Sequence, residues 1–236
     1  MTTVKQVMAE LKKKGDPRRV KAYEPHGAPE NIYGVSVADM KVIAKKIKGQ
    51  QDLACELYDT GNGDAMYLAG IVADGTKMTK KQLDSWAKQA NWQMISEYSV
   101  PGVAHESEHA RELALNWIDS KKEGVASAGW NTLSGIVTVT PDKELDIEEI
   151  KRLLKRIENE IDSVPNRVRY TMNGFVIAVG AYVSPLNKLA KATAKRLGKV
   201  EVDMHGTSCK VPLALEYIEK IEKLGKAGKK RKTIKC

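Results

Sequence analysis

Apolar residues recur at helical spacing along nearly the whole chain. Over residues 3–14 they form one stripe that begins at Val4 and ends at Leu11. Ser36 stands where a helix N-cap is expected, with Asp39 three residues later, a carboxylate variant of the capping box. The same periodicity predicts further helices over residues 51–59, 64–74, 79–90, 92–101, 106–119, 123–138, 146–161, 165–182, 185–197 and 212–223.

Two stretches resemble β-strands, but neither outweighs the helical pattern. The run 135–140 is β-branched, but it lies at the end of a segment whose apolar residues have helical spacing. Residues 199–203 alternate between polar and apolar, but the stretch is short and lies inside a Gly-rich loop over 198–212. Residues 17–31 are rich in Pro and Gly and indicate an irregular connector. The sequence therefore predicts an all-α protein.

The predicted helices are short and pair up at intervals of about 35–40 residues, the period of stacked helical hairpins. Such hairpins form a HEAT-like or armadillo-like superhelix of antiparallel helix pairs with a concave face. A helix bundle would use fewer and longer helices. We expect one solenoid domain over residues 1–225, followed by a basic C-terminal tail over 226–236.

Composition narrows the class of protein. With 236 residues and 42% hydrophobic content, the chain can bury a full globular core. No apolar run reaches the roughly 18 residues of a membrane span, and the N-terminal residues lack a signal-peptide core. Cys55, Cys209 and Cys236 are odd in number and far apart, which favours reduced thiols. We expect a cytoplasmic monomer with no cofactor and no metal.

The net charge of +9 is concentrated at one end of the chain. From Gly225 onward there are six cations and no acid, whereas the rest of the chain holds 33 basic and 30 acidic residues. A basic tail can contact phosphates without reading sequence, although many such tails are only solvated extensions.

The four tryptophans lie close together in the sequence. Trp86, Trp92, Trp117 and Trp130 fall within 45 residues. Indole is costly to expose and stacks well on flat or cationic partners. The cluster predicts a heavy core or an aromatic-lined site, and we expect core packing for about two of the four.

The segment 31–48, together with those around Trp86 and from Trp92 to Glu97, resembles the DNA alkylation repair family, the HEAT-like group of AlkD-type DNA glycosylases. The block G-V-x-V-x-D-[LM]-[KR]-x-I-A-K is the most diagnostic part, and the resemblance runs from about residue 30 to about residue 196. It implies an all-helical protein that holds duplex DNA on a basic concave face and removes N3- or N7-alkylated purines. It also implies one Asp and two Trp at the lesion and its sugar, and one Arg on the DNA backbone.

The family's catalytic Asp has no direct counterpart here. It lies four or five residues beyond the Trp that Trp92 resembles, where this chain has Ser96 and Glu97. Anchoring on the following Val-Pro selects Glu97, so that Trp92 and Glu97 become the candidate catalytic pair. The other register selects Ser96 and leaves no anion. A glycosylase uses a carboxylate to stabilise an oxocarbenium-like sugar, which Glu97 can do if it points into the groove.

The remaining family positions also depart from the pattern. Trp130 matches the Trp that precedes the family Arg, but Asn131, Thr132 and Leu133 follow it, so that the guanidinium is missing. The second stacking Trp corresponds best to Phe175. The resemblance implies DNA-facing roles for Trp130 and Phe175, while core packing remains the alternative for both.

Two clusters of basic and polar residues further along the chain are candidates for binding phosphate. Arg167, Arg169, Tyr170 and Asn173 lie near the entry of the predicted helix 165–182, whose exposed N-terminal amides can hold an anion. Acids are absent at i±4 from the two arginines, so we expect their partner outside the chain; a solvated helix start is the alternative. A further acid-free stripe on one helix face consists of Lys188, Lys191 and Lys195.

The segment 105–109 matches H-E-x-x-H, a zinc-protease motif when it lies on a helix. An obvious third ligand is missing, and the segment also fits the repeat without a metal. We therefore carry three hypotheses: an alkylpurine DNA glycosylase with a modified site, a family member that binds duplex, branched or damaged DNA without excising bases, and a helical-repeat scaffold for protein partners.

Overall fold

A computed structural model describes residues 2–235, in which thirteen α-helices occur and no strand. The prediction of an all-α protein is confirmed. The helices are α1 (Val4–Lys14), α2 (Pro17–Tyr23), α3 (Val37–Lys46), α4 (Gln51–Asp59), α5 (Gly63–Val72), α6 (Lys80–Gln89), α7 (Val100–Ala104), α8 (Ala110–Trp117), α9 (Glu123–Val139), α10 (Ile147–Glu160), α11 (Asn166–Tyr182), α12 (Asn187–Leu197) and α13 (Ala214–Lys223).

Neighbouring helices pack in pairs, and the pairs stack. α4 packs on α5 and α8 on α9, while α5, α7, α9, α11 and α13 contact one another in series. The core follows this stack, with one cluster from Val7 to Ala128 and a second from Ala114 to Ile218 that share α8 and α9. None of the described helices is long and apolar enough to cross a membrane.

The diagnostic sequence block folds around a buried carboxylate. Asp64, fully buried at the start of α5, accepts hydrogen bonds from the backbone amides of Tyr33, Gly34 and Val35 at 2.5, 3.0 and 3.0 Å. Gly34 has φ +77°, a conformation that side chains disfavour. Ser36 then caps α3, as predicted, by accepting from the Asp39 amide. This block thus anchors α3 to α5.

The predicted connector over residues 17–31 is wrong in its first half. It contains α2 and a 3₁₀ turn over Glu24–His26. The missed signal was Asp16 before Pro17: the Asp16 carboxylate accepts from the Arg18 amide, and Pro occupies the first helical turn. Over Ile95–Ser99 the chain forms a π-helical turn that continues into α7, inside the predicted helix 92–101.

Two basic or irregular segments lie against the helices. In the loop 198–212, Asp203 exchanges two hydrogen bonds with the Asn166 side chain at the start of α11. Residues 226–235, expected as a separate tail, contact the body: the Gly228 amide donates to Ala181 O and the Arg231 amide to Thr138 O. Cys236 lies outside the described residues.

Candidate functional site

The candidate catalytic residues lie at the N-terminal ends of the stacked helices. Glu97 is in the π turn, Trp92 precedes that turn, and Arg167 and Tyr170 are in the first turns of α11. All four line one pocket of about 350 Å³. The structure therefore brings together two residue groups that the sequence analysis treated separately.

Glu97 and Arg167 form a buried, bidentate ion pair. Arg167 Nε donates to Glu97 Oε1 at 2.7 Å and Nη2 to Oε2 at 2.6 Å. The Glu97 side chain is 0% exposed and that of Arg167 is 13% exposed. The expectation of a partner outside the chain is wrong for Arg167, because its guanidinium is occupied by a residue 70 positions away.

The amide that could have received a phosphate is also occupied. The Arg167 backbone N–H donates to Glu123 Oε1 at 2.7 Å, so that a carboxylate from α9 caps the start of α11. Acids are stabilised at helix N-termini for the same reason as phosphates. This amide of the predicted phosphate site is therefore occupied by a side chain of the protein itself.

The electrostatics of the pair follow from burial and mutual contact. Burial raises the pKa of the Glu97 carboxyl, and the hydrogen bonds from Arg167 oppose that rise. Burial lowers the pKa of the Arg167 guanidinium, but the hydrogen bonds to Glu97 outweigh it and leave the pKa above its ordinary value. Two opposite charges in contact present little net charge to the pocket.

Aromatic faces form the walls of the pocket. Tyr23 and Trp92 lie with ring centroids 5.3 Å apart, and the Arg167 guanidinium carbon is 4.3 Å from the centroid of the Tyr170 ring. Trp92 is held in place because its Nε1–H donates to His26 O at 3.0 Å. Tyr98, 45% exposed, completes the wall. Aromatic faces of this kind bind a flat ring by stacking, whether or not the ring is charged.

Sequence reasoning missed three residues near the pocket, Tyr23, His26 and Tyr98. Tyr23 and His26 belong to α2 and the turn after it, which the Pro/Gly content had concealed. Tyr98 follows Glu97 directly, and its position inside a predicted helix gave no sign of which face it would occupy. An aromatic next to the candidate carboxylate was the available signal.

The DNA-facing roles expected for Trp130 and Phe175 are corrected by their burial. Both side chains are 0% exposed and pack edge-to-face with centroids 5.5 Å apart. Asn173 is 1% exposed and donates to Pro212 O. With Trp86 and Trp117 at 3% and 2% exposed and Trp92 at 7%, all four tryptophans are buried, rather than two. Trp92 alone among them lines the pocket.

Asn131 directly follows Trp130, in the segment where the family Arg was expected. Its side chain makes a structural contact. Its Nδ2 donates to the backbone carbonyl of Glu97 at 2.8 Å. The amide therefore helps to hold the π turn, whose carbonyls lack the regular helical pattern.

Some of the other cations that were predicted to bind DNA contact groups of the chain itself. Arg169 donates to the carbonyl of Glu201 at 2.9 Å, which corrects the expectation of an external partner. Lys191 forms a salt bridge with Glu222 at 2.8 Å, so the stripe on α12 is not free of acids in three dimensions. Lys188 and Lys195 are exposed on that helix.

The H-E-x-x-H segment has structural contacts instead of a metal-binding arrangement. Glu106 accepts from the Gly75 amide at 2.9 Å and from Lys235 Nζ at 2.7 Å. The His105 ring nitrogen lies 3.1 Å from Pro101 O, and burial lowers the pKa of this histidine. Among residues 2–235, His, Cys, Asp and Glu side chains do not form a group of three that could hold a metal.

The stacked hairpins and the aromatic pocket at one end of their helices define a helical-repeat protein of the HEAT-like kind. Comparison with known families supports this class and narrows it. The profile of the family described as "DNA alkylation repair enzyme" matches residues 7–199, and the chain belongs to that family. The resemblance found in the sequence is thereby confirmed.

Full-length relatives are found in two Listeria species. The uncharacterized protein Lin0241 of Listeria innocua is 33% identical over 226 residues, which is 93% of this chain and 97% of the relative. The uncharacterized protein Lmo0209 of Listeria monocytogenes is 32% identical over the same length and shares.

A solved structure also matches over its whole length. It has a TM-score of 0.91 and 38% identity, with 100% of both chains covered. That protein is described as one of "a new family of proteins related to the HEAT-like repeat DNA glycosylases with affinity for branched DNA structures". The HEAT-like fold predicted from the sequence is confirmed.

Proposed function

We propose that this protein binds DNA, prefers branched over linear forms, and does not release alkylated bases. Support for branched DNA comes from the full-length structural relative, whose described affinity is for such structures. Support against excision comes from one observation: the candidate catalytic carboxylate, Glu97, is buried and paired with Arg167.

A glycosylase must stabilise positive charge on the departing sugar, and a carboxylate does so only where its charge is presented to that sugar. Both Glu97 oxygens accept from the Arg167 guanidinium. To act on a sugar, Glu97 would have to exchange this buried ion pair for the ligand. Leaving one member of such a buried pair without its partner costs about 3–5 kcal/mol, which opposes a catalytic role for Glu97.

The pocket instead suits a base that has lost its stacking partner. Branch points expose such bases where strands separate, and aromatic side chains bind them through their faces with little dependence on sequence. Tyr98 and Tyr170 offer these faces at the pocket. Exposed lysines such as Lys188 and Lys195 would contact phosphates, which positions DNA without specifying sequence.

Excision remains the second candidate, because the family is described as repair enzymes. Glu97 is the only acid between Asp84 and Glu106. If a carboxylate from this segment assisted excision, it would therefore be that of Glu97, and Trp92 would lie beside the sugar. The two functions differ in a single readout, the release of a base.

The test is competition binding of a four-way junction against a linear duplex of equal length and composition. We expect the junction to bind about tenfold tighter or more, since each stacked base contributes about 1–3 kcal/mol. Tyr98→Ala should weaken junction binding by at least about fivefold and leave duplex binding unchanged. Tyr217→Ala is the matched control, because Tyr217 on α13 is 47% exposed and lies outside the pocket.

Equal affinity of the wild-type protein for junction and duplex would contradict the preference for branched DNA. Equal effects of Tyr98→Ala and Tyr217→Ala would leave the preference for branched DNA intact but would show that the pocket does not cause it. Absence of DNA binding would favour a scaffold for protein partners instead.

A further inference from the structure

We propose that residues 226–235 form an ordered basic strap whose outward cations bind the phosphate backbone of DNA; this proposal rests on the proposed function. The strap runs along the C-terminal parts of α11 and α9 and reaches α7 and the end of α5. On α11 it lies at the opposite end from the first turns that line the pocket. It contacts Ala181 in α11, Thr138 in α9 and Ala73 after α5.

Two lysines of the strap point inward and fasten it. Lys230 Nζ donates to Val137 O at 2.8 Å and forms a salt bridge with Asp142 at 2.8 Å. Lys235 Nζ donates to Ala73 O and to Glu106 at 2.7 Å. These side chains are only 18% and 16% exposed. Each ammonium thus caps carbonyls at a helix C-terminus, the end that favours a cation.

The helix surface beneath the strap leaves room for it. A Cβ built on Gly135 in α9 would lie 2.6 Å from Ile234 Cδ1, and one on Gly102 in α7 would lie 3.4 Å from the Lys235 side chain. A side chain at position 135 would therefore displace the end of the Ile234 side chain. Together with the two amides that bond to Ala181 and Thr138, this packing fixes the course of the strap.

The four other cations of the strap, Lys226, Lys229, Arg231 and Lys232, are exposed, and the last three flank the inward Lys230. They share the segment with no acid. Because the inward lysines already hold the backbone, these cations do not have to be ordered when a ligand binds, which lowers the entropic cost of contact. A row of cations without base-reading groups is suited to phosphates and insensitive to sequence.

The strap and the pocket meet at one residue. Tyr98 lines the pocket, and it also borders the hollow formed with Ile234 and Lys235. A DNA arm lying along the strap would therefore lead to the aromatic wall. The strap supplies general affinity for one arm, whereas the pocket supplies the preference for a branch point.

The test compares three variants of the full chain, two of them matched in charge, on the four-way junction over a range of salt concentrations. Lys229→Gln/Arg231→Gln/Lys232→Gln should weaken binding by one to two orders of magnitude near 0.1 M salt and reduce the slope of log K against log salt by about 2.7. Its Tm should stay unchanged. Lys41→Gln/Lys45→Gln/Lys48→Gln, on exposed positions in and after α3, is the control for net charge and should have a much smaller effect.

The third variant separates docking from charge. Ile234→Ala leaves every cation and every helix residue in place but removes the side chain that packs against Gly135. The amides of 226–235 should then lose hydrogen-exchange protection, and the affinity should fall several-fold. Junction binding that is unchanged in the outward triple variant, or reduced equally in the α3 triple, would overturn the strap proposal alone. Selective loss of binding to anionic lipid vesicles, with DNA binding intact, would do the same. A wild-type protein that binds no DNA would instead refute the proposed function.

Discussion

Asp64 and Glu97 are both buried carboxylates, but their partners differ in kind. Asp64 accepts from three consecutive backbone amides about 30 residues upstream. Glu97 accepts from one guanidinium, which the chain brings from 70 residues downstream. Burial raises the pKa of both carboxyls, and the hydrogen bonds oppose that rise in both.

The difference shows which kind of site a sequence can reveal. The amides around Asp64 come from the diagnostic block, where Gly34 permits the turn, so a local pattern encodes the partner. The partner of Glu97 is a side chain that approaches only after α9 and α11 have stacked. The two carboxylates also differ in consequence, because Asp64 anchors α3 to α5, whereas Glu97 lies under the pocket.

Removing the Asp64 carboxylate should have the largest effect. Asp64→Ala leaves three N–H groups, two of them buried and one partly buried, without an acceptor, at about 1–3 kcal/mol each, so we expect a loss of about 5 kcal/mol in the free energy of unfolding. Urea denaturation measures it. Asp59→Ala, at an exposed position of α4, is the control and should stay within about 0.5 kcal/mol of wild type. A similar small loss in both variants would refute the anchoring role.

Removing the Arg167 guanidinium should have the second largest effect. Arg167→Met leaves the Glu97 charge buried and unpaired, so the free energy of unfolding should fall by about 4 kcal/mol at pH 7. Without Arg167, nothing opposes the rise in the pKa of Glu97. A carboxyl with a raised folded pKa favours the folded state as pH falls, so this variant should regain stability when the pH is lowered from 7, before general acid unfolding.

The double variant sharpens that test. Glu97→Gln/Arg167→Met removes both charges, and we expect the free energy of unfolding to lie within about 2 kcal/mol of wild type. The measurement is a double-mutant cycle in urea. If the losses in the free energy of unfolding simply add, and Arg167→Met shows no pH-dependent recovery, the two side chains contribute to stability independently and the ion pair is refuted.

The smallest expected effect concerns the backbone of the π turn. Asn131→Ala removes one hydrogen bond to Glu97 O, so we expect a loss of about 1 kcal/mol and faster hydrogen exchange over residues 95–99. Asn91→Ala, which removes an exposed hydrogen bond to Gly61 O, provides the comparison. Equal exchange rates in both variants would show that Asn131 does not hold the turn.

Much of the fold was predictable because its signals are local. Periodic apolar positions placed most helices, and Ser36 marked the start of α3. The segment Pro17–Tyr23 was missed because two prolines nearby masked the Asp16-Pro17 start signal. Local sequence patterns also indicated the candidate residues that share the pocket, Glu97, Trp92, Arg167 and Tyr170.

What escaped the sequence analysis depends on contacts between distant segments. The i±4 rule found no acid for Arg167, because its acid lies in another repeat. Trp130 and Phe175 were assigned to a surface through the resemblance, although their contact with each other buries both. The basic tail showed its charge in the sequence, but not that Lys230 and Lys235 turn inward.

The central claim is that Glu97 is an internal partner of Arg167 rather than a catalyst. Single-turnover base release, with protein in excess over a duplex carrying one N7-methylguanine or N3-methyladenine, tests it most directly. We expect release at the spontaneous rate, while the same preparation binds the four-way junction. Accelerated release that disappears in Glu97→Gln, with circular dichroism and junction binding retained, would contradict the claim and make Glu97 a catalytic residue.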